Sequence, residues 1–182
     1  MVMSLLARLR ADRRGAALVE FAVSLPILTL LLLGGTEVAR YVLLNQKLDR
    51  VVTSTSDLTS QSDDITTTEL NNIFAATARI MLPYNYSRDG IVIVSSVGLV
   101  NGAPRIHWQR TGGGTLSRAS RIGVQGGTAT LPSGLTIAAG DNVIIAEAFY
   151  AFTPWLWRQM PAGDLYHRAI TRPRLSNLTA IN

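Results

Sequence analysis

The sequence predicts an α+β protein, with a long N-terminal transmembrane and amphipathic helix and a second helix packed on an antiparallel β-sheet. Three observations carry this reading. Residues 16–36 form an apolar stretch holding a single charge, Glu20. Apolar positions then continue at helical spacing to about Thr55. From Asp89-Gly90 onward, β-branched and aromatic runs are separated by turn residues.

At 182 residues, with 47% apolar and 16% charged, the chain has room for one globular domain and an accessory element, and too little for a two-domain enzyme. That apolar content argues against disorder. The absence of cysteine excludes disulfides, Cys-ligated zinc, iron–sulfur clusters and thiol catalysis, and leaves the compartment open. The net charge of +5 is unevenly placed, because Arg8, Arg10, Arg13 and Arg14 against Asp12 put +3 of it before Gly15. A nucleic-acid binder needs its basic stripe on the folded part, so this distribution favours a cytosolic anchor beside an anionic membrane surface.

The first element reads AALVEFAVSLPILTLLLLGGT from Ala16 to Thr36. As a helix it reaches about 32 Å, enough to span a bilayer, and it lacks the polar face of a soluble core helix. A basic segment followed by an apolar one also fits a secretory signal, but no small-x-small cleavage site follows. Four arginines before the span, against Arg40, Lys47 and Arg50 after it, favour a cytoplasmic N-terminus, which places the larger part outside the cytoplasm. Pro26 removes one helical hydrogen bond, which a membrane helix tolerates.

Glu20 needs an explanation, since an unpartnered carboxylate at this depth costs about 2.5–3.5 kcal/mol. One account has it snorkel to the interface and interact favourably with the helix N-terminal dipole. The other starts from Gly15, which separates Arg13-Arg14 from the apolar run. Cutting after Gly15 would create an α-amine on Ala16, four residues before Glu20 and on the same helix face, where the two charges could pair within or between chains.

The run Arg13-Arg14-Gly15-Ala16-Ala17-Leu18-Val19-Glu20-Phe21 resembles the class III signal of type IV pilin-like proteins. In that signal a prepilin peptidase cuts after the glycine and glutamate stands fifth in the mature chain. With the LP-containing span and Glu37, Arg40 and Tyr41 after it, the sequence resembles more closely the TadE-like family of minor pseudopilins, from the Tad (Flp) tight-adherence pilus machinery. The likeness covers residues 13 to about 55, with a weaker echo at Tyr150, Pro154 and Arg172-Pro173-Arg174.

The resemblance implies a pilin-like fold and cleavage between Gly15 and Ala16, with Arg13, Arg14, Glu20 and Phe21 serving processing and assembly. It implies as partners a prepilin peptidase, other pilins and pseudopilins, Tad inner-membrane platform proteins and the membrane, with no nucleic acid. It places the chain in a bacterial inner membrane as a single-pass protein, N-terminus cytoplasmic and C-terminal domain periplasmic or extracellular, supporting pilus biogenesis, surface adherence and biofilm formation. Two other classes stay open: an uncleaved single-pass scaffold or adaptor of a secretion or pilus assembly complex, and a membrane-tethered binding or catalytic domain.

Beyond the span, Val38, Tyr41, Val42, Leu48, Val51 and Val52 continue the helix, unless Gly34-Gly35 breaks it. Thr53 to Asp64 reads as helix end and connector, and Thr66-x-x-Glu69 is a capping-box pattern opening a second helix over about 67–82, before Pro83. Ile91–Leu99, the turn Asn101-Gly102 and Arg105–Arg110 read as a hairpin. Asn142–Phe152 is the strongest strand, and Leu165–Thr171 adds a last one. The resulting partition is a basic cytoplasmic leader over 1–15, the span over 16–36, a helix extension over 37–57 and an exported α+β domain over 58–182.

The glycine-rich region from Gly112 to Gly134 lacks the Lys-Ser or Lys-Thr of a phosphate cradle and reads as loop, with Arg105, Arg110, Arg118 and Arg121 as scattered surface charges. The aromatic segment Phe149, Tyr150, Phe152, Trp155 and Trp157 suits core packing, a subunit interface or the membrane–water boundary. His107 and His167 read as strand-face residues, and no HExxH, GxSxG or paired-carboxylate motif appears. The expectation is a structural subunit, with no catalytic residue, no metal site and no cofactor.

Overall fold

A computed structural model describes residues 14–156 and 161–182. They divide into two compact units, residues 14–40 with 154–156, and residues 41–153 with 161–182. The elements are helix α1 (Arg14–Ser60), helix α2 (Thr67–Ala78) with a 3₁₀ turn (Arg79–Met81), the single-turn helix α3 (Tyr86–Asp89), and strands β1 (Gly90–Val100), β2 (Ala103–Gly112), β3 (Asn142–Phe152) and β4 (Gly163–Thr171). The α+β class expected from sequence is the one observed, and α1 runs unbroken through Gly34-Gly35.

In the first unit the apolar stretch of α1 is exposed almost throughout. Its two threonine hydroxyls are turned back onto the helix: Thr29 Oγ1 donates to the Leu25 carbonyl and Thr36 Oγ1 to the Leu32 carbonyl, both at 2.8 Å. Such internal satisfaction lets a polar residue sit in an apolar medium. The helix is long and apolar enough to cross a membrane.

The second unit is built on a four-stranded sheet of order β2-β1-β3-β4, antiparallel at every pairing. The β1–β2 turn has Asn101 and Gly102 both at positive φ, 53° and 79°, as a two-residue hairpin turn matching the twist of its strands requires. At the centre, β1 pairs with β3 from Gly90 opposite Tyr150 to Gly98 opposite Asn142. Both paired stretches are buried at every residue, so both faces of the sheet are covered.

One face carries Val92, Val94, Ser96, Ile144, Ala146 and Ala148, and takes the helices. Leu44, Leu48, Val51, Val52, Thr55, Ser56 and Thr59 of α1 are buried at helical spacing. Ser56 Oγ donates to Thr171 Oγ1 at 2.7 Å and approaches the Ile144 carbonyl at 3.4 Å. Thr55 Oγ1 meets Thr77 Oγ1 of α2 at 3.1 Å, and Phe74 of α2 lies where a side chain at Gly112 would go. Helix α1 therefore continues past Thr55 to Ser60, five residues beyond its expected end. Its Ser/Thr-rich stretch, a loop signal in isolation, is the helix's contact surface, small enough for close approach and bonded in place.

The second helix starts where the capping pattern put it, with Thr66 Oγ1 accepting from the Glu69 amide at 3.1 Å. The Glu69 carboxylate accepts from Ser62 Oγ instead, at 2.7 Å. The expected stretch to residue 82 divides into α2 and the 3₁₀ turn, whose end is held by Lys47 Nζ donating to the Ile80 and Leu82 carbonyls at 2.9 Å. The terminal segment closes this side: Arg174 donates its amide to the Ser60 carbonyl and its guanidinium to Asp57, both at 3.0 Å, a cation at the C-terminal end of α1.

The opposite sheet face carries Ile91, Ile93, Val97, Val143, Ile145 and Phe149, and is covered by the loop between β2 and β3. Ile122, Ala129 and Ile137 of that loop are buried against it. The glycine-rich region is a loop as expected, and it is also the third layer of the core. Its anchor is Glu147, fully buried on β3 and accepting from the Ser120 hydroxyl, the Arg121 amide at 2.9 Å and the Tyr166 hydroxyl at 2.9 Å. Burial first, then the Glu147 charge, push the Tyr166 phenol up to about 12. Arg118 pairs with Asp164 at 2.9 Å and Arg121 stacks 3.9 Å over the Tyr166 ring, so these two arginines fasten the loop.

This packing separates two leucines of one helix. Leu48→Ala, at a fully buried position, is expected to lower stability by about 2–5 kcal/mol. Leu58→Ala, at a position 42% exposed, is expected to cost about 1 kcal/mol or less. Denaturant unfolding of the detergent-solubilised chain, read from the fluorescence of buried Trp108, measures both.

Candidate functional site

The residues that the sequence nominates for processing lie at the start of α1. Arg13 and the side chain of Arg14 fall outside the described residues, as does Trp157 of the aromatic segment. Gly15, Ala16, Glu20 and Phe21 are exposed on the helix. A Cβ added at Gly15 would meet nothing within 4 Å, so packing places no demand for glycine there. Glu20 has no hydrogen bond or ion pair to another described residue. Ala16 and Glu20, four apart in a helix, share one face.

The unit that holds this helix start also holds a polar cluster at the other end of the apolar stretch. Glu37 is the first charged residue after the stretch and is buried, at 1% exposure. Its Oε2 accepts the amides of Trp155 and Leu156 at 2.9 and 2.8 Å, and its Oε1 accepts Arg40 Nη1 at 2.8 Å. Helical geometry places Glu37 and Arg40 on one face, three residues apart, so the ion pair is local. The Arg40 guanidinium also lies 3.9 Å from the centre of the Trp155 ring, a cation–π contact.

Burial alone would push the Glu37 carboxyl up. The Leu156 amide, the Arg40 guanidinium and the Trp155 amide outweigh it, and hold the carboxyl below its usual value of 4.5. The arrangement is a carboxylate clasp, in which one side chain fixes a backbone turn by two amides and is itself neutralised by a cation. Among the described residues, no three His, Cys, Asp or Glu side chains gather as a metal centre would need. His107 lies in β2, and His167 of β4 meets Asn45 Oδ1 at 3.1 Å.

A membrane-length apolar helix, exposed on all sides, together with a unit of helices packed on an antiparallel sheet, gives the chain a pilin-like architecture. Residues 15–56 match the family described as TadE-like protein, and over that stretch the chain is similar to its members. No curated protein and no solved structure matches the chain at a significant level. The matched stretch includes Gly15, Ala16, Glu20, Phe21, Glu37 and Arg40.

Sequence reading named Glu37 as part of a likeness, and Arg40 for that and as a charge beyond the apolar stretch, and missed their partners. The clasp joins positions 118 and 119 residues apart, which no local pattern reveals. Glu147 was missed as well, although a lone carboxylate inside the apolar run Asn142–Phe152 was a visible signal.

A carboxyl whose pKa is depressed in the folded state contributes stability that is fully present above its unfolded value and lost as pH falls through the lowered one. The clasp is therefore expected to hold at neutral pH and to loosen in acid, below about pH 4.5. Hydrogen-exchange protection of the Trp155 and Leu156 amides reports it. Glu37→Ala is expected to reduce that protection about tenfold or more at neutral pH. Unchanged protection in the variant would show that these amides do not depend on Glu37.

Proposed function

We propose that the chain is a minor pseudopilin, a structural and assembly subunit of a Tad-type type IV pilus with no enzymatic activity of its own. In this reading it is inserted in the inner membrane with its N-terminus in the cytoplasm, cut after Gly15 by a prepilin peptidase, and associated through its apolar helix with other pilins and the inner-membrane platform. Its biological roles are pilus biogenesis and surface adherence.

The observation that carries the proposal is one apolar helical surface within the TadE-like stretch, exposed all round and bearing a single carboxylate four residues after Ala16. A helix of this kind is stable in lipid because its backbone bonds are internal, and in a filament because the same surface meets other helices. Glu20, exposed and with no hydrogen bond or ion pair to another described residue, would set the register by pairing with an Ala16 amine released by cleavage. Because nothing packs against Gly15, a requirement for glycine there would come from the peptidase.

N-terminal sequencing and intact mass of the membrane-extracted chain, with and without the peptidase, test the cleavage. A peptidase-dependent start at Ala16 is expected. Gly15→Ala is expected to impair processing without altering the fold. Glu20→Ala is expected to leave insertion and cleavage intact and to weaken assembly, read as loss of the chain from sheared pilus fractions. A fully processed Gly15→Ala chain would remove the proposed site, and an unprocessed wild-type chain would leave an uncleaved single-pass scaffold as the better reading.

A further inference from the structure

Among the described residues, the apolar side chains beside the Glu37 clasp are largely exposed. Trp155 is 71% exposed and Leu156 50%, and Leu33 and Val38 of the same unit, on either side of Glu37, are 40% and 49% exposed. Trp155 and Leu156 are thus held at the level of the helix where the apolar stretch ends.

Chemistry selects among the possible occupants of this patch. A turn entering the boundary of a bilayer must bring few unsatisfied polar groups with it, since each unpaired amide is costly there. Both amides are already bonded to Glu37, and Arg40 neutralises that carboxylate. What remains outward is an indole and an isobutyl group, the kind of side chains that settle at the headgroup level, with a guanidinium beside the ring. Leu33, one turn before Glu37, belongs to the exposed apolar stretch of α1, whose own covering is lipid in the membrane reading.

We infer that the Trp155–Leu156 turn is a second membrane contact, seated in the interfacial layer of the leaflet where the helix emerges and held at that depth by Glu37. This rests on reading residues 16–36 as a membrane span. The partner is a lipid surface, and Glu37 is a positioning residue that acts through the two amides.

The chain has no cysteine, so single-cysteine variants can be spin-labelled without background. The full chain carrying Leu156→Cys is placed in vesicles of phosphatidylethanolamine and phosphatidylglycerol. Collisions of the label with oxygen, which partitions into lipid, are compared with those of a water-soluble nickel complex. Leu30→Cys reports the middle of the span, and Leu175→Cys, at a position 64% exposed in the other unit, serves as the aqueous reference.

The label at 156 is expected to show an oxygen-to-nickel ratio several-fold above that at 175 and below that at 30. Adding Glu37→Ala is expected to return it to the ratio at 175. A ratio at 156 equal to that at 175, with the label at 30 deep, overturns the inference and leaves the span intact. Low collision with both reagents at 156 overturns it in favour of burial against a second copy. A label at 30 open to nickel removes the span and the inference together. An interfacial label at 156 that Glu37→Ala does not move overturns the positioning role.

Discussion

The β1–β3 pairing is the constraint on which the larger unit depends. Two nine-residue stretches are buried on both sides of the sheet, Gly90 to Gly98 against Asn142 to Tyr150. An antiparallel sheet can leave one face wet, with polar residues alternating along it. Here the alternate positions are apolar as well, so each face needs its own cover. The helices supply one and the glycine-rich loop supplies the other. That explains a loop with few regular elements which still buries Ile122, Ala129 and Ile137, and a carboxylate at the sheet centre that bonds it in place.

Helix α1 meets two environments along one length. Its early residues are almost all apolar, and its later ones alternate between a buried row and an exposed row in which charged and polar residues join Val42, Leu43 and Leu58. Within the first unit, the change is marked by Glu37, a charge that would be costly inside an apolar layer. It is tolerated there because a cation and two amides surround it. An apolar helix needs a defined end if its depth in lipid is to be defined, and a fixed charge pair with an aromatic ring beside it provides one.

Much of this architecture was legible because its signals are local. The Thr66 cap, the Asn101-Gly102 turn and the strand Asn142–Phe152 each announce themselves within a dozen residues or fewer, the apolar helix within about twenty, and each is found where the sequence put it. Where the reading fell short, the deciding contact was remote. Serine and threonine at 55–60 signal a helix end unless a sheet lies beside them, and the partner of Ser56 is Thr171. The loop's role depends on Glu147 and Tyr166 meeting Ser120 and Arg121. At the candidate site, the helix start was visible as a motif, whereas the Glu37 clasp exists only in three dimensions.

The clasp also implies an order of events. Arg40 follows Glu37 by three residues and can neutralise it as soon as that turn of helix forms. The two amides arrive 118 and 119 residues later. As the chain is synthesised from its N-terminus, the carboxylate is first a member of a local ion pair and only afterwards a receptor for the turn that follows β3. Arg40 therefore acts as a placeholder: it keeps the charge quiet while the chain is incomplete and stays in the site once the amides have joined it.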